Sequence, residues 1–211
     1  MTTPLLREEI ARRVARFRKD HYHRLEKTYR DLVEHGQNPR TLFIACSDSR
    51  VVPHLLAGAD PGQLFVVRNV GAIVPPYGSD QHATGAAIEY AVLVLGVIHI
   101  VVCAHSHCGA MRALYHPPKE GAPHLNRWLE HAREAVLDAP ESADVLRHTE
   151  QRSVVIGVER LLGYPAVAER VAEGALSLHG LYYVIEDGDV MVLDYARGEF
   201  VSMLEPRENA G

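Results

Sequence analysis

Cysteine is scarce in this chain, which has only Cys46, Cys103 and Cys108. Three thiols cannot supply a disulfide scaffold, so the fold must rest on an apolar core, as expected in a reducing compartment. Excess positive charge is missing too. Lys and Arg number 22 against 27 Asp and Glu, and the net charge of -5 argues against a general nucleic-acid binder. Long apolar runs are absent. The longest, Tyr90 to Val102, is broken by Gly96 and His99 and is too short to span a bilayer. The first residues, with Arg7, Glu8, Glu9, Arg12 and Arg13, leave no apolar core for a secretory signal. A cytoplasmic protein without a membrane or nucleic-acid partner is the expectation. There is no internal repeat and no low-complexity linker. With 47% hydrophobic residues in 211, the chain is sized for one well-buried domain.

What is present is a pair of motifs. Cys46-Ser47-Asp48-Ser49-Arg50 follows the apolar run Thr41 to Ala45, and His105-Ser106-His107-Cys108 follows Ile98 to Val102. Short runs rich in β-branched residues read as buried strands. The motifs therefore stand at strand ends, where α/β sheets place their ligands. Two thiolates, an imidazole and a carboxylate suit tetrahedral zinc. Cys46 and Asp48 are two apart and share a face of an extended segment. His105 and Cys108 are three apart, a spacing that fits a strand-to-helix turn whose amide groups favour the Cys108 thiolate.

Elsewhere, helical periodicity spans Leu5 to Glu34, where acidic residues interleave the basic run Arg12 to Lys19, and Gly36 and Pro39 end it. Residues 1–35 read as an amphipathic helical arm lying on the body or on a partner subunit, and residues 36–211 as the zinc-binding α/β catalytic domain. Within that domain Leu64 to Arg68 reads as a second buried strand, and Asn69 to Gln81 as a loop without regular structure. Helices are expected at Pro53 to Ala59, His82 to Leu95, Ala110 to Tyr115, Pro123 to Leu137, Ala143 to Leu162 and Pro165 to Gly174. Leu181 to Ile185 and Val190 to Tyr195, joined by Asp187-Gly188-Asp189, read as a hairpin. The fold class is α/β, with a central mostly parallel sheet, an antiparallel edge strand and flanking helices.

The two motifs, with Gly109, resemble the signature of the β-class carbonic anhydrases. Phe65-Val66-Val67-Arg68-Asn69, Val74-Pro75-Pro76-Tyr77 and Ala83-Thr84-Gly85-Ala86-Ala87-Ile88-Glu89-Tyr90 resemble its plant-type branch. The resemblance implies one Zn²⁺ per chain on Cys46, His105 and Cys108, with water or, in a closed state, Asp48 in the fourth position. It implies attack of zinc-bound hydroxide on CO₂ to give bicarbonate, with Asp48 and Arg50 as the catalytic pair. Two thiolates make the metal site formally neutral, so neighbouring groups must help to acidify the water. By position, Gln37 and the Gly109 backbone match substrate hydrogen-bonding groups. Phe65, Val70 and Tyr90 match residues shaping a small apolar CO₂ pocket. In the family, groups of the Gln37, Phe65 and Tyr90 type reach the metal across a subunit interface, which implies a homodimer or a higher even oligomer.

The chain departs from the family pattern in two places. The allosteric branch has Trp three residues before the first Cys ligand and Gly immediately before it, where this chain has Phe43 and Ala45. No bicarbonate switch is therefore expected, and Arg68 takes a structural role. Ala110 stands where a second Gly is common. Cys103 reads as a core residue, Trp128 as packing, His107 as a non-ligand, and His82, His99, His116 and His124 as ordinary loop or surface histidines. Two alternatives stay open: a hydrolase of a CO₂ analogue such as carbon disulfide, and a non-catalytic zinc or anion-binding relative.

Overall fold

The computed structural model describes residues 4–79 and 82–204. The ends of the arm and of the domain assigned above (1–3 and 205–211) and the close of the 69–81 loop (80–81) lie outside the described residues. The chain forms two compact units, Met1–Asn38 and Pro39–Gly211.

The first unit is one helical run with a change of pitch inside it. Helix α1 (Pro4–Arg16) passes through a π-helical segment, Phe17–Tyr22, into α2 (His23–His35). A π segment shifts the hydrogen-bond register by one residue, which hydrophobic spacing alone does not reveal. Ion pairs at helical spacing, Glu9 with Arg13 and Glu26 with Arg30, line the run.

In the second unit six strands form one sheet in the order β2-β1-β3-β4-β5-β6. They are β1 (Thr41–Cys46), β2 (Leu64–Asn69), β3 (His99–His105), β4 (Ser177–Val184), β5 (Asp189–Asp194) and β6 (Glu199–Ser202). The first four in spatial order are parallel, and β5 and β6 add an antiparallel edge. The expected hairpin is β4–β5, although β4 begins at Ser177, four residues earlier than expected, and β6 extends the edge by a further strand. Strand β2 is half-buried and not fully buried. It lies outermost in the sheet, and its β-branched composition cannot distinguish an edge from a centre.

Helices α3 (Pro53–Leu56), α4 (Ala83–Glu89), α5 (Gly109–Ala113), α6 (Pro123–Glu130), α7 (Ala143–Leu161) and α8 (Pro165–Ala172) join the strands. The expected 123–137 helix stops at Glu130, with a separate 3₁₀ turn at Arg133–Ala135. The expected 82–95 helix changes at Tyr90 into a π turn, Tyr90–Val94. The 69–81 loop contains a 3₁₀ turn, Val70–Ala72. Among the described residues no helix is long and apolar enough to cross a membrane.

The main core packs Leu42, Ile44, Ile100, Val102 and Tyr182 of the sheet against Ile88, Val154, Val158 and Leu161 of the helices. Helix α7 lies very close to the sheet because Gly180 of β4 has no side chain. A Cβ there would stand 2.8 Å from Val154 Cγ1. That close approach brings the first half of α7 over the end of β3.

Candidate metal centre

Parallel pairing sets Ala45 of β1 beside Cys103 of β3, so Cys46 and His105 emerge at the carboxyl ends of adjacent strands. The chain then turns through Ser106 and His107 to Cys108, which caps α5. His107 adopts φ +58°, left-handed and unusual for a residue with a side chain. This turn folds Cys108 back toward Cys46. The Cys46 Sγ, a His105 ring nitrogen and the Cys108 Sγ lie within 4.8 Å of one another, and all three residues are buried.

His105 is set up as a ligand. Its Nδ1 donates to the Ser106 carbonyl at 2.8 Å, which places the proton on Nδ1 and leaves the Nε2 lone pair free. Nε2 is buried and has no hydrogen-bond partner. An orphaned imidazole nitrogen facing two thiols fits zinc, whose preferred donors are these. The Cys46 thiol is drawn down to about 4, chiefly by a hydrogen bond from Cys108, against the effect of burial. That same bond, together with burial, raises Cys108. Burial alone would lower His105, but its contacts with Cys46, the Ser106 carbonyl and Asp48 outweigh it and raise the imidazole. Cys103, by contrast, is a core thiol pushed up to about 12 by burial. The Asp48 and Gly71 backbone amides both lie 3.4 Å from the Cys46 Sγ and support its thiolate.

Asp48 faces Arg50. Arg50 donates from Nε to Asp48 Oδ1 at 2.9 Å and from Nη2 to Oδ2 at 2.7 Å, and its backbone N–H adds a bond of 3.0 Å. These bonds hold the Asp48 carboxyl well below the usual carboxylate range. Asp48 Oδ2 stands 4.0 Å from His105 Nε2, at the edge of the triad. Arg68 donates to the Cys46 carbonyl at 3.0 Å and to the Asp48 carbonyl at 2.6 Å, so it fastens the main chain of the first motif.

With this centre in place, the comparisons with known proteins decide its family. A family profile described as carbonic anhydrase matches residues 41–190. A carbonic anhydrase of Pseudomonas aeruginosa is 43% identical over 199 residues, covering 92% of this chain and 90% of that protein. The chain belongs to the β-carbonic anhydrase family. Among solved structures, the β-carbonic anhydrase CcaA superposes with a TM-score of 0.87 at 39% identity, over 92% of this chain and 98% of that one. A tetrameric β-carbonic anhydrase of Sordaria macrospora superposes at 0.79 with 29% identity, over 90% and 98%. The family's activity is zinc-dependent hydration of CO₂ to bicarbonate and a proton, and the chain is a carbonic anhydrase with the donor set for that metal.

The pocket residues implied by the family are spread more widely. Val70 opens the 3₁₀ turn beside Gly71, next to Cys46. Gly109 follows Cys108, and a Cβ added there would meet no atom within 4 Å. Phe65 and Tyr90 form a ring pair with centroids 5.7 Å apart. Phe65 pairs with Leu42, whereas Cys46 pairs with Asn69. Four residues of strand thus separate Phe65 from the level of Cys46, about 13 Å. Gln37 is exposed and belongs to the N-terminal unit.

Several residues that position this centre lie outside the two ligand motifs. The Asn69 side chain bonds both the N–H and the C=O of Ile73 and so closes the turn that carries Gly71. Trp128 donates its indole N–H to the Val70 carbonyl at 2.7 Å, beyond the packing role expected of it. Glu150 accepts from the Cys108 N–H at 2.7 Å and from the Tyr182 hydroxyl at 2.7 Å. Burial raises its carboxyl, against both of those bonds. A signal for Glu150 was present, because it falls on the stripe continued by Val154, Val158 and Leu161. A lone acid on an apolar helical face is a buried charge in need of partners.

Proposed function

We propose that the chain hydrates CO₂ at a site completed by a second copy, as a cytoplasmic homodimer or higher even oligomer of the plant-type branch. Zinc, when bound, supplies the Lewis acidity that activates water near neutral pH. The observation carrying this reading is the two-pronged Asp48–Arg50 pair at the rim of the triad. Held as a carboxylate, Asp48 accepts a hydrogen bond from the reacting water and turns its lone pair toward CO₂. Arg50 keeps Asp48 off the metal position by engaging both carboxylate oxygens. The Gly109 N–H and the Gln37 amide of a second copy orient the substrate oxygens, while Val70, with Phe65 and Tyr90 of that second copy, forms an apolar wall that excludes bulk water.

The placement of Phe65 and Tyr90 supports a shared site. Their ring pair lies well back from the chain's own triad, and Tyr90 with its neighbours Leu93 and Val94 is exposed. A second copy supplies these rings to the first copy's metal and covers the apolar surface. Phe43 and Ala45 are buried, and Arg68 is already bound to main-chain carbonyls. Those positions support the reading that this chain lacks the bicarbonate switch of the allosteric branch. The free thiols of Cys46 and Cys108 suit a reducing cytosol.

Subunit complementation tests this directly. Asp48→Ala and Tyr90→Ala chains are each expected to hydrate CO₂ poorly in stopped flow. Coexpressed, they form mixed dimers in which one site has an intact Asp48 and an intact Tyr90, and activity returns. A mixture no more active than its parents would refute the shared site.

A further inference from the structure

Glu150 is 2% exposed and bridges three separate parts of the fold. It stands on α7, its Oε1 takes the Cys108 N–H, and its Oε2 takes the hydroxyl of Tyr182, a fully buried residue of β4 beside Ala104 of β3. Burying a carboxyl is costly unless both oxygens find donors, and here both do. A contact that only filled space would need no acceptor there.

The turn carrying Cys108 depends on such external contacts, since His107 at φ +58° holds a conformation kept only where the surroundings enforce it. Ser106 is fixed by its hydroxyl, which donates to Glu186 at 2.6 Å and accepts from the Ile185 N–H at 2.9 Å. His107 is fixed by Arg50, which donates to its carbonyl at 3.1 Å. The peptide N–H of Cys108 itself is fixed by Glu150.

We propose that Glu150 is a positioning residue for the metal ligand Cys108, with Tyr182 as its strut. Through one peptide N–H it sets the direction in which the Cys108 sulfur points toward Cys46 and His105. The carboxyl touches no donor atom of the triad and acts through the main chain. Groups that orient metal ligands from behind typically cost about 10- to 100-fold in metal affinity when removed.

The experiment uses the full-length protein with Glu150→Ala, Glu150→Gln and Tyr182→Phe. Zinc affinity is read by competition with a chromogenic chelator, ligand geometry by sulfur-to-cobalt charge-transfer absorption of the Co²⁺ form, and folding by circular dichroism. Glu150→Ala is expected to bind zinc about 10- to 100-fold more weakly, with a shifted cobalt band. Glu150→Gln keeps an acceptor for the Cys108 N–H and is expected to restore near-native affinity and spectrum. Native affinity and an unchanged cobalt band in Glu150→Ala would overturn the assignment. So would a Gln variant as impaired as the Ala variant, because the effect would then come from charge. If Glu150→Ala does not fold, Tyr182→Phe decides: weakened zinc binding with a shifted band supports the strut, and unchanged values overturn it. None of these readouts depends on CO₂ hydration, so failure here is distinct from failure of the shared-site reading.

Discussion

The Arg50 guanidinium binds both oxygens of Asp48 and, with the same Nη2, the carbonyl of His107. It therefore ties the first motif to the turn that carries the second, 57 residues away. A lysine can replace the charge but not the fork. Arg50→Lys is expected to free Asp48 and lower kcat/KM nearly as much as Asp48→Asn, which removes the charge and one of the two acceptor oxygens. Each loss should lie in the range of about 10²- to 10⁴-fold associated with a positioned acid–base group. Zinc content should stay near one per chain. Stopped-flow CO₂ hydration with metal analysis checks both, and unchanged kinetics in either variant would remove the pair's catalytic role.

Gly71 sits at φ +86° with its N–H on the Cys46 sulfur. A Cβ there would stand 3.0 Å from Met111 Cε and 3.1 Å from Ala110 Cβ. Gly71→Ala combines backbone strain with crowding and is expected to cost about 1–3 kcal/mol and to weaken zinc binding. The Ala110 methyl thus packs against the glycine. Adding Ala110→Gly to Gly71→Ala should recover part of the loss, though not the strain. Urea unfolding of the single and double variants measures both, and full additivity would show that the two positions do not interact.

Two thiols, an imidazole and a carboxylate at the ends of two β-branched runs made a zinc site legible, and the family resemblance singled out Cys46, His105 and Cys108 as its ligands. The parallel sheet followed from the alternation of strands and helices. What stayed hidden depends on tertiary neighbours. Strand β2 has the composition of a central strand but lies outermost. The π segments at Phe17–Tyr22 and Tyr90–Val94 keep the hydrophobic spacing of an α-helix while changing its pitch. Asn69 and Trp128 act on main-chain groups of Ile73 and Val70, and a bond to a peptide carries no partner identity that a sequence could reveal.

Arg68 spends Nε and Nη2 on the carbonyls of Cys46 and Asp48. Arg68→Ala should destabilise the protein by about 1 kcal/mol, given the residue's exposure to solvent, and should lower zinc affinity. With its guanidinium so occupied, the native enzyme should respond to bicarbonate as to a simple product. Initial rates measured across a bicarbonate series should follow a hyperbola, and a sigmoidal loss of activity would contradict the structural role of Arg68.

His179 of β4, which faces His99 of β3, sets a pH dependence remote from the metal. His179 Nε2 lies 3.3 Å from His99 Nδ1, a distance at which one ring donates and the other accepts. Burial, then the neighbouring imidazole, lowers the His179 value below that of a free histidine. The unfolded chain therefore binds more protons than the fold as the solution becomes acidic. The stability held by neutral His179 is complete above the unfolded value of about 6.5 and is lost as pH falls toward the folded one. A His179→Gln variant cannot titrate there. Its stability relative to the native protein should improve as pH drops from about 7.5 to about 5.5. Urea unfolding of the two proteins across that range supplies the comparison, and parallel curves would mean that His179 titrates alike in the folded and unfolded chain.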